Sequence, residues 1–115
     1  MNKQVWQYPL FRHWYDTLGW MMERTEQFPR SVRPTLVRRI DDHALNVIEL
    51  ITEAIFTPAK QRRHKLRAIN LTLDQLRILW RLSHDRRYIS AQQYAHVSAL
   101  IDETGKMVGG WLKTL

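Results

Sequence analysis

Apolar residues recur at intervals of three and four along most of this chain, and short breaks divide the pattern into four segments. This spacing is typical of amphipathic helices, because one turn of an α-helix holds about 3.6 residues. The segments are predicted at about 9–27, from 32 or 34 to 56, at 58–85, and from 91 onward. Because no alternating strand pattern interrupts them, the sequence predicts an all-α protein.

The breaks carry signals that end and start helices. A Phe-Pro step at 28–31 ends the first helix, because a residue before proline disfavours the helical backbone conformation. Thr57 is predicted to cap the third helix, with Pro58 at its first position. Ser90 and Gln93 have the spacing of a capping box at the start of the fourth helix. Short joints of this kind favour an up-down antiparallel four-helix bundle.

The third helix is predicted to be apolar on two opposite sides. At 100° per residue, one row faces the core of the bundle and consists of Leu66, Ile69, Leu73, Leu76 and Trp80. The opposite row consists of Leu71, Ile78 and Leu82. A helix in a monomeric bundle has little reason for a second apolar row, so this row is predicted to contact another subunit. The alternative is that these are scattered surface residues, which soluble proteins tolerate.

A basic edge lies beside the core row of the same helix. It consists of Lys60, Arg63, Arg67, Arg77 and Arg81 and is interrupted by Asp74. At its start, residues 60–65 hold four cations, Arg62 among them, and a histidine. These charges repel one another unless an anion lies close, so nucleic-acid backbone is the predicted ligand. The alternative is a solvated edge on which Asp74 is a local ion-pair partner.

Glycines in the fourth helix allow two interpretations. Each glycine inside a helix costs about 1 kcal/mol relative to alanine. In the first interpretation, Gly105 and Gly109 belong to an edge of small residues where a helix of another subunit approaches closely. In the second, Gly109 and Gly110 end the helix as a C-cap and Trp111 folds back as an anchor. The sequence does not decide between them.

Composition adds a strong charge to this picture. The length of 115 residues, with 44% apolar residues, fits a single domain over residues 1–115. Eighteen Lys and Arg against eleven Asp and Glu give a net charge of +7, which attracts polyanions. Cysteine is absent, so disulfides and thiolate ligands are excluded. Neither a signal peptide nor a membrane-spanning segment is predicted, and we expect a cytoplasmic protein without a membrane partner.

Motifs that carry chemistry are missing from the sequence. The Glu-x-x-His pairs of di-iron bundles do not occur, and no two histidines are four residues apart. A glycine-rich phosphate loop and a Gly-x-Ser-x-Gly elbow are also absent. We therefore predict a non-enzyme with no catalytic residue, no metal site and no cofactor. An enzyme or metal carrier built in the bundle core is the least favoured alternative.

The chain resembles the accessory variability determinant (Avd) family of diversity-generating retroelements. That family lies within a wider four-helix-bundle group that includes the ribosomal-RNA intervening-sequence proteins. The resemblance covers about residues 8–113, and its last block is the most specific. It rests on Phe28-Pro29-Arg30-Ser31, Arg39-Ile40-Asp41, Ala44-Leu45, Leu76-Arg77, Arg81-Leu82, Gln93-Tyr94 and the block from Gly105 to Leu112. Lys106 is a mild departure, since the family more often has arginine there.

The resemblance implies a ring-like homo-oligomer, a homopentameric barrel of four-helix protomers. It implies that the barrel binds the reverse transcriptase of the retroelement and its template RNA, with cDNA as a further partner, to support mutagenic reverse transcription. By the same resemblance, Arg77 and Arg81 match an arginine pair of the functional basic surface. The alternative is an oligomer of the intervening-sequence group that binds RNA or a protein and has no retroelement role.

Overall fold

Four α-helices form the protein in a computed structural model that describes residues 4–115. They are α1 (Pro9–Thr25), α2 (Arg38–Phe56), α3 (Ala59–Asp85) and α4 (Ala91–Leu112). Between residues 4 and 115 no strand occurs, so the predicted all-α class is confirmed. Each helix packs on the next one along the chain, and α1 also packs on α4, which makes an elongated bundle of 45 × 23 × 21 Å.

Each helix buries the inner row that its periodicity predicts. On α1, Leu10, Trp14, Leu18 and Met21 are all buried. The inner row of α3, from Leu66 to Trp80, is at most 1% exposed. The indole Nε1 of Trp14 donates a hydrogen bond of 2.9 Å to the carbonyl oxygen of Ala44, which ties α1 to α2 across the core. The core is therefore continuous along the bundle.

The approach to α2 is not regular α-helix: a tight turn is followed by a wide one. A 3-10 turn at Arg30–Val32 is followed by a π turn at Arg33–Val37, so the regular α-helix begins only at Arg38. Pro34 lies in the π turn and has no N–H to donate to a regular helical hydrogen bond. The start predicted at residue 32 or 34 is therefore correct for helical winding and wrong for the regular α-helix.

The predicted cap of α3 by Thr57 is wrong. Thr57 is the residue that ends α2, and its hydroxyl donates back to the carbonyl oxygen of Glu53. Pro58 takes the capping position of α3, with an extended backbone, and no side chain caps this helix. The hydroxyl of threonine bonds readily to a carbonyl four residues earlier, so Thr57 bonds to the end of α2 instead of capping α3.

Arg62 closes the C-terminal end of α2. Its Nε donates to the carbonyl oxygen of Ala54 at 2.8 Å, and its Nη2 donates to that of Thr57 at 3.0 Å. Its guanidinium also lies 5.1 Å from the ring centre of Trp111 on α4. The last carbonyls of a helix have no hydrogen-bond donor within the helix. Arg62 therefore supplies N–H donors from the next helix.

The joint between α3 and α4 is closed by a Schellman motif. The N–H of Tyr88 donates to the carbonyl oxygen of Ser83, and the N–H of Arg87 donates to that of His84, both at 2.9 Å. Arg87 has a φ of 64°, the left-handed conformation that this motif requires. Glycine fits this position best, and an L-residue there costs about 1–2 kcal/mol.

The start of α4 matches the prediction and its end does not. Ser90 and Gln93 form both hydrogen bonds of the capping box, at 2.9 and 3.0 Å. The helix then passes through Gly109 and Gly110 and ends at Leu112, so the interpretation of these glycines as a C-cap is wrong. Burial of Val108 and the packing of Trp111 against Tyr8, with ring centres 5.8 Å apart, accompany this extra turn.

Replacing Arg62 by alanine is expected to lower the free energy of unfolding by about 2–3 kcal/mol, because two charge-assisted hydrogen bonds and the contact with Trp111 are lost. Arg63→Ala is the matched control, because it removes the same charge from an exposed neighbouring position and should change stability by less than about 0.5 kcal/mol. Urea denaturation followed by circular dichroism measures both variants. If both variants lose the same free energy of unfolding, Arg62 does not cap α2.

Candidate nucleic-acid and self-association surfaces

The first half of the predicted basic edge is exposed and free of carboxylates. Lys60, Arg63 and Arg67 all lie on the solvent side of α3. In the part of the chain that the structure describes, no Asp or Glu forms an ion pair with any of them. Their spacing of three and four residues places the three charges along about 10 Å of one helix edge. We name these residues the free basic edge.

The second half of the same edge is held by carboxylates. Arg77 lies between Asp74, at 2.7 Å, and Asp102 of α4, at 3.2 Å. Arg81 donates to Asp85 at 3.2 Å. The hydrogen bond and the charge of Asp85 raise the pKa of Arg81 above its already high value, so the guanidinium stays cationic. Arg77 and Arg81 are therefore fixed in orientation and partly neutralised, unlike the free basic edge.

A groove of about 550 Å³ runs between α3 and α4 beside Arg77. It is lined by Asn70, Asp74, Arg77, Asp102, Gly105 and Lys106. A methyl group at Gly105 would lie 3.5 Å from the nearest guanidinium nitrogen of Arg77, which is an ordinary contact. The protomer itself therefore does not require glycine at this position. Lys106 adds an exposed cation at the rim.

Arg62 is placed apart from the other cations of the predicted nucleic-acid set. Its side chain points back to the end of α2, where both of its hydrogen bonds go to carbonyl oxygens. Its neighbour Lys65 likewise turns towards α2 and forms an ion pair of 2.8 Å with Glu53. Of the four cations in residues 60–65, only Lys60 and Arg63 remain directed to solvent without a carboxylate partner.

The second apolar row of α3 is exposed, as the angular analysis predicts. Leu71, Ile78 and Leu82 are 62%, 69% and 45% exposed, respectively. Leu71 follows Arg67 along the helix by about one turn, so the row borders the free basic edge. We name these three residues the α3 ridge. On the predicted small-residue edge of α4, a methyl group added at Gly109 would meet no atom within 4 Å, so this position is open to an approaching helix.

Further exposed apolar side chains, which the sequence pattern did not predict, lie on α1, on α2 and in the turn before α1. The most exposed of them are Trp6, Tyr15, Met22, Leu45 and Phe56. The Trp6 ring packs edge-on against Phe11 and Tyr15, with ring centres 4.9 Å apart in both pairs. The sequence does contain a signal for these exposed side chains, because Leu45 and Phe56 lie outside the inner row of α2.

A cleft of about 440 Å³ opens between α1 and α2, and we name it the α1–α2 cleft. It is lined by Phe11, Ile48, Glu49, Thr52 and Glu53. Its lining combines the apolar side chains of Phe11 and Ile48 with the carboxylates of Glu49 and Glu53, of which Glu53 also pairs with Lys65. Apolar surface bordered by acidic groups is the chemical complement of the α3 ridge, which is bordered by arginines.

Two further properties concern the whole described chain. Between residues 4 and 115, no helix is long and apolar enough to cross a membrane. Over the same range, no group of three or more His, Asp and Glu side chains is arranged to hold a metal ion.

Asp41 is an acidic residue whose pKa is shifted. Burial raises the pKa of its carboxyl group, and the 2.9 Å hydrogen bond from Thr25 opposes that shift.

Comparison with known proteins identifies the family. A family model described as bAvd-like matches residues 10–115, which include nearly all of the four helices and most of the exposed apolar side chains. No curated protein matches the chain significantly. The match agrees with the resemblance to accessory variability determinants that the sequence blocks from Phe28 onward carry. The chain belongs to the bAvd-like family.

Proposed function

We propose that this protein is a non-catalytic, cytoplasmic accessory protein of a diversity-generating retroelement, which binds template RNA or cDNA and the reverse transcriptase as a homo-oligomer. The observation that carries this proposal is the free basic edge, three exposed cations without carboxylate partners on a chain of net charge +7. Membership of the bAvd-like family supports the retroelement role.

The mechanism is electrostatic and depends on repetition. Lys60, Arg63 and Arg67 contact phosphates and release condensed counterions, which favours binding without regard to base sequence. In an oligomer each subunit contributes one such edge, so an RNA bound to one subunit meets the others at high effective concentration. Arg77 and Arg81 lie beside the free basic edge, and their ion pairs fix the orientation of both guanidinium groups. A protein or nucleic-acid partner therefore binds guanidinium groups that are already oriented.

The alternative is a bundle of the intervening-sequence group that binds RNA or a protein and has no retroelement role. Both hypotheses share the fold and the basic surface, so the genome distinguishes them more directly than the protein does. A reverse transcriptase gene with paired variable and template repeats beside this gene supports the retroelement role. Their absence from the neighbourhood supports the alternative.

Removing the free basic edge should weaken RNA binding. We expect Arg63→Ala with Arg67→Ala to lower the affinity for a structured RNA hairpin by about tenfold at physiological salt and to reduce the slope of log K against log salt by about 1–2. Arg77→Ala with Arg81→Ala should have a smaller effect, because these side chains already have carboxylate partners. Fluorescence anisotropy over a series of salt concentrations measures both.

The matched control for this comparison is Arg38→Ala with Lys65→Ala. This variant also removes two positive charges, but from side chains that already form ion pairs with Asp42 and Glu53. Its affinity and salt slope should stay close to those of the wild type. If Arg63→Ala with Arg67→Ala binds RNA as the control does, the free basic edge is not the contact surface.

The proposed oligomer forms by docking the α3 ridge of one copy in the α1–α2 cleft of the next. The exposed leucine and isoleucine side chains of the ridge would carry this contact, against Phe11 and Ile48 of the cleft, so that Arg63 and Arg67 stay available to phosphate. Because the two surfaces differ, each copy uses one face to bind and the other to be bound. Such a heterologous contact produces a ring when its rotation closes.

This arrangement is tested by mixing two variants. Ile78→Glu with Leu82→Glu places charge on the ridge, and Tyr15→Glu with Leu45→Glu places charge about one helical turn from Phe11 and Ile48 of the cleft, so each variant alone should be monomeric. An equimolar mixture should give a dimer and nothing larger, because one intact ridge meets one intact cleft. Light-scattering mass measures this. If the ridge variant is monomeric and the cleft variant keeps the wild-type mass, two ridges pair with each other instead. If the ridge variant keeps the wild-type mass, the ridge is not part of the interface.

The glycines of α4 supply an independent test of close helix approach. Gly109→Ala should stabilise the isolated protomer by about 1 kcal/mol, because alanine favours the helix and the added methyl meets no atom. If another subunit packs against Gly109, the same change should weaken assembly. Gly110→Ala is the matched control, since Gly110 is also unobstructed but points about 100° away. Equal assembly of the two variants would remove Gly109 from the interface.

A further inference from the structure

Two joints of the chain meet at one end of the bundle, about 40 Å along α3 from Lys60. The first joint precedes α2 and contains Phe28 and Arg30; the second links α3 to α4 and contains Arg87 and Tyr88. The ring of Phe28 is buried and lies 5.4 Å from that of Tyr88. This contact fixes the two joints against each other and brings their arginines to the same end of the protein.

The arginines of these joints have no carboxylate partner. They are Arg30, Arg33, Arg86 and Arg87, and all four are exposed. In residues 4–115 none of them forms an ion pair, although Arg33 shares a cleft with Glu26 and Asp41. Asp85, the carboxylate next to Arg86 in sequence, is already bound by Arg81. We name these four residues the end cluster.

Arg87 occupies a position where the fold would favour glycine. Its φ of 64° is left-handed, and the Schellman motif that needs this conformation uses only its backbone N–H. An arginine there disfavours the fold through its backbone conformation and repels the adjacent Arg86. The dipole of α3 stabilises Arg86 and Arg87, but Arg30 and Arg33 lie at the positive end of α2, where a dipole disfavours cations.

We propose that the end cluster binds RNA phosphates as a second contact, separate from the free basic edge. The proposal rests on the proposed RNA binding and extends it to the opposite end of the bundle. Guanidinium groups suit phosphate because their paired N–H donors match its oxygens. The chemistry is the same as on α3, but the site is built from two loops held together by Phe28 and Tyr88.

The double variant Arg86→Ala with Arg87→Gly separates binding from folding, because its two expected effects have opposite signs. Arg87→Gly relieves the left-handed backbone, so the melting temperature should rise by about 2–5 °C. Affinity for the same structured RNA hairpin, labelled with fluorescein, should fall by about tenfold at physiological salt, with a salt slope smaller by about 1–2. A loss of affinity in a more stable protein cannot come from unfolding.

The control is again Arg38→Ala with Lys65→Ala, which removes two charges that are already paired. If wild-type protein does not bind the RNA, both the proposed function and the end cluster are excluded. If Arg63→Ala with Arg67→Ala weakens binding while the end-cluster variant matches the control, only the end-cluster proposal fails. If the end-cluster variant keeps its RNA affinity and loses binding to the reverse transcriptase, the surface binds a protein and the RNA assignment is wrong.

Discussion

The burial of the inner row of α3 fixes the direction of every other side chain on that helix. Leu66, Ile69, Leu76 and Trp80 are fully buried against the neighbouring helices. Each such side chain stabilises the fold by about 1.5–3 kcal/mol, so α3 cannot rotate to cover its outer leucines without a large loss. Because residues on a helix are 100° apart, this constraint alone directs the basic edge and the α3 ridge to solvent.

Carboxylates of α3 itself, Asp74 and Asp85, and of the neighbouring helices then decide which cations remain available. Asp102 reaches Arg77 from α4, and Glu53 reaches Lys65 from α2, whereas no carboxylate of the described chain pairs with Arg63 or Arg67. One helix edge is thereby divided into a half whose cations have no carboxylate partner and a half in which Arg77 and Arg81 form ion pairs. For a ligand such as phosphate the difference matters, because binding to a paired arginine must compete with its carboxylate.

The bundle leaves two unlike sets of apolar side chains exposed to solvent. The α3 ridge is bordered by arginines, and the α1–α2 cleft is bordered by glutamates. With the cations on α3 and at the end of the bundle, these surfaces offer contact to partners through apolar area and charge. That division of surfaces is the structural basis of the proposed self-association and RNA binding.

The sequence by itself determined the four helices, their inner rows, the capping box of Ser90 and the exposure of Ile78, because these follow from local periodicity and local hydrogen bonds. Only the tertiary structure decided that Arg62 caps α2, that α4 continues through Gly110, and that Trp6 joins Tyr15 on an exposed face. Those outcomes depend on which groups from distant parts of the chain become neighbours. A side chain with several available partners takes the one that packing brings within reach, and a one-dimensional pattern does not contain that distance.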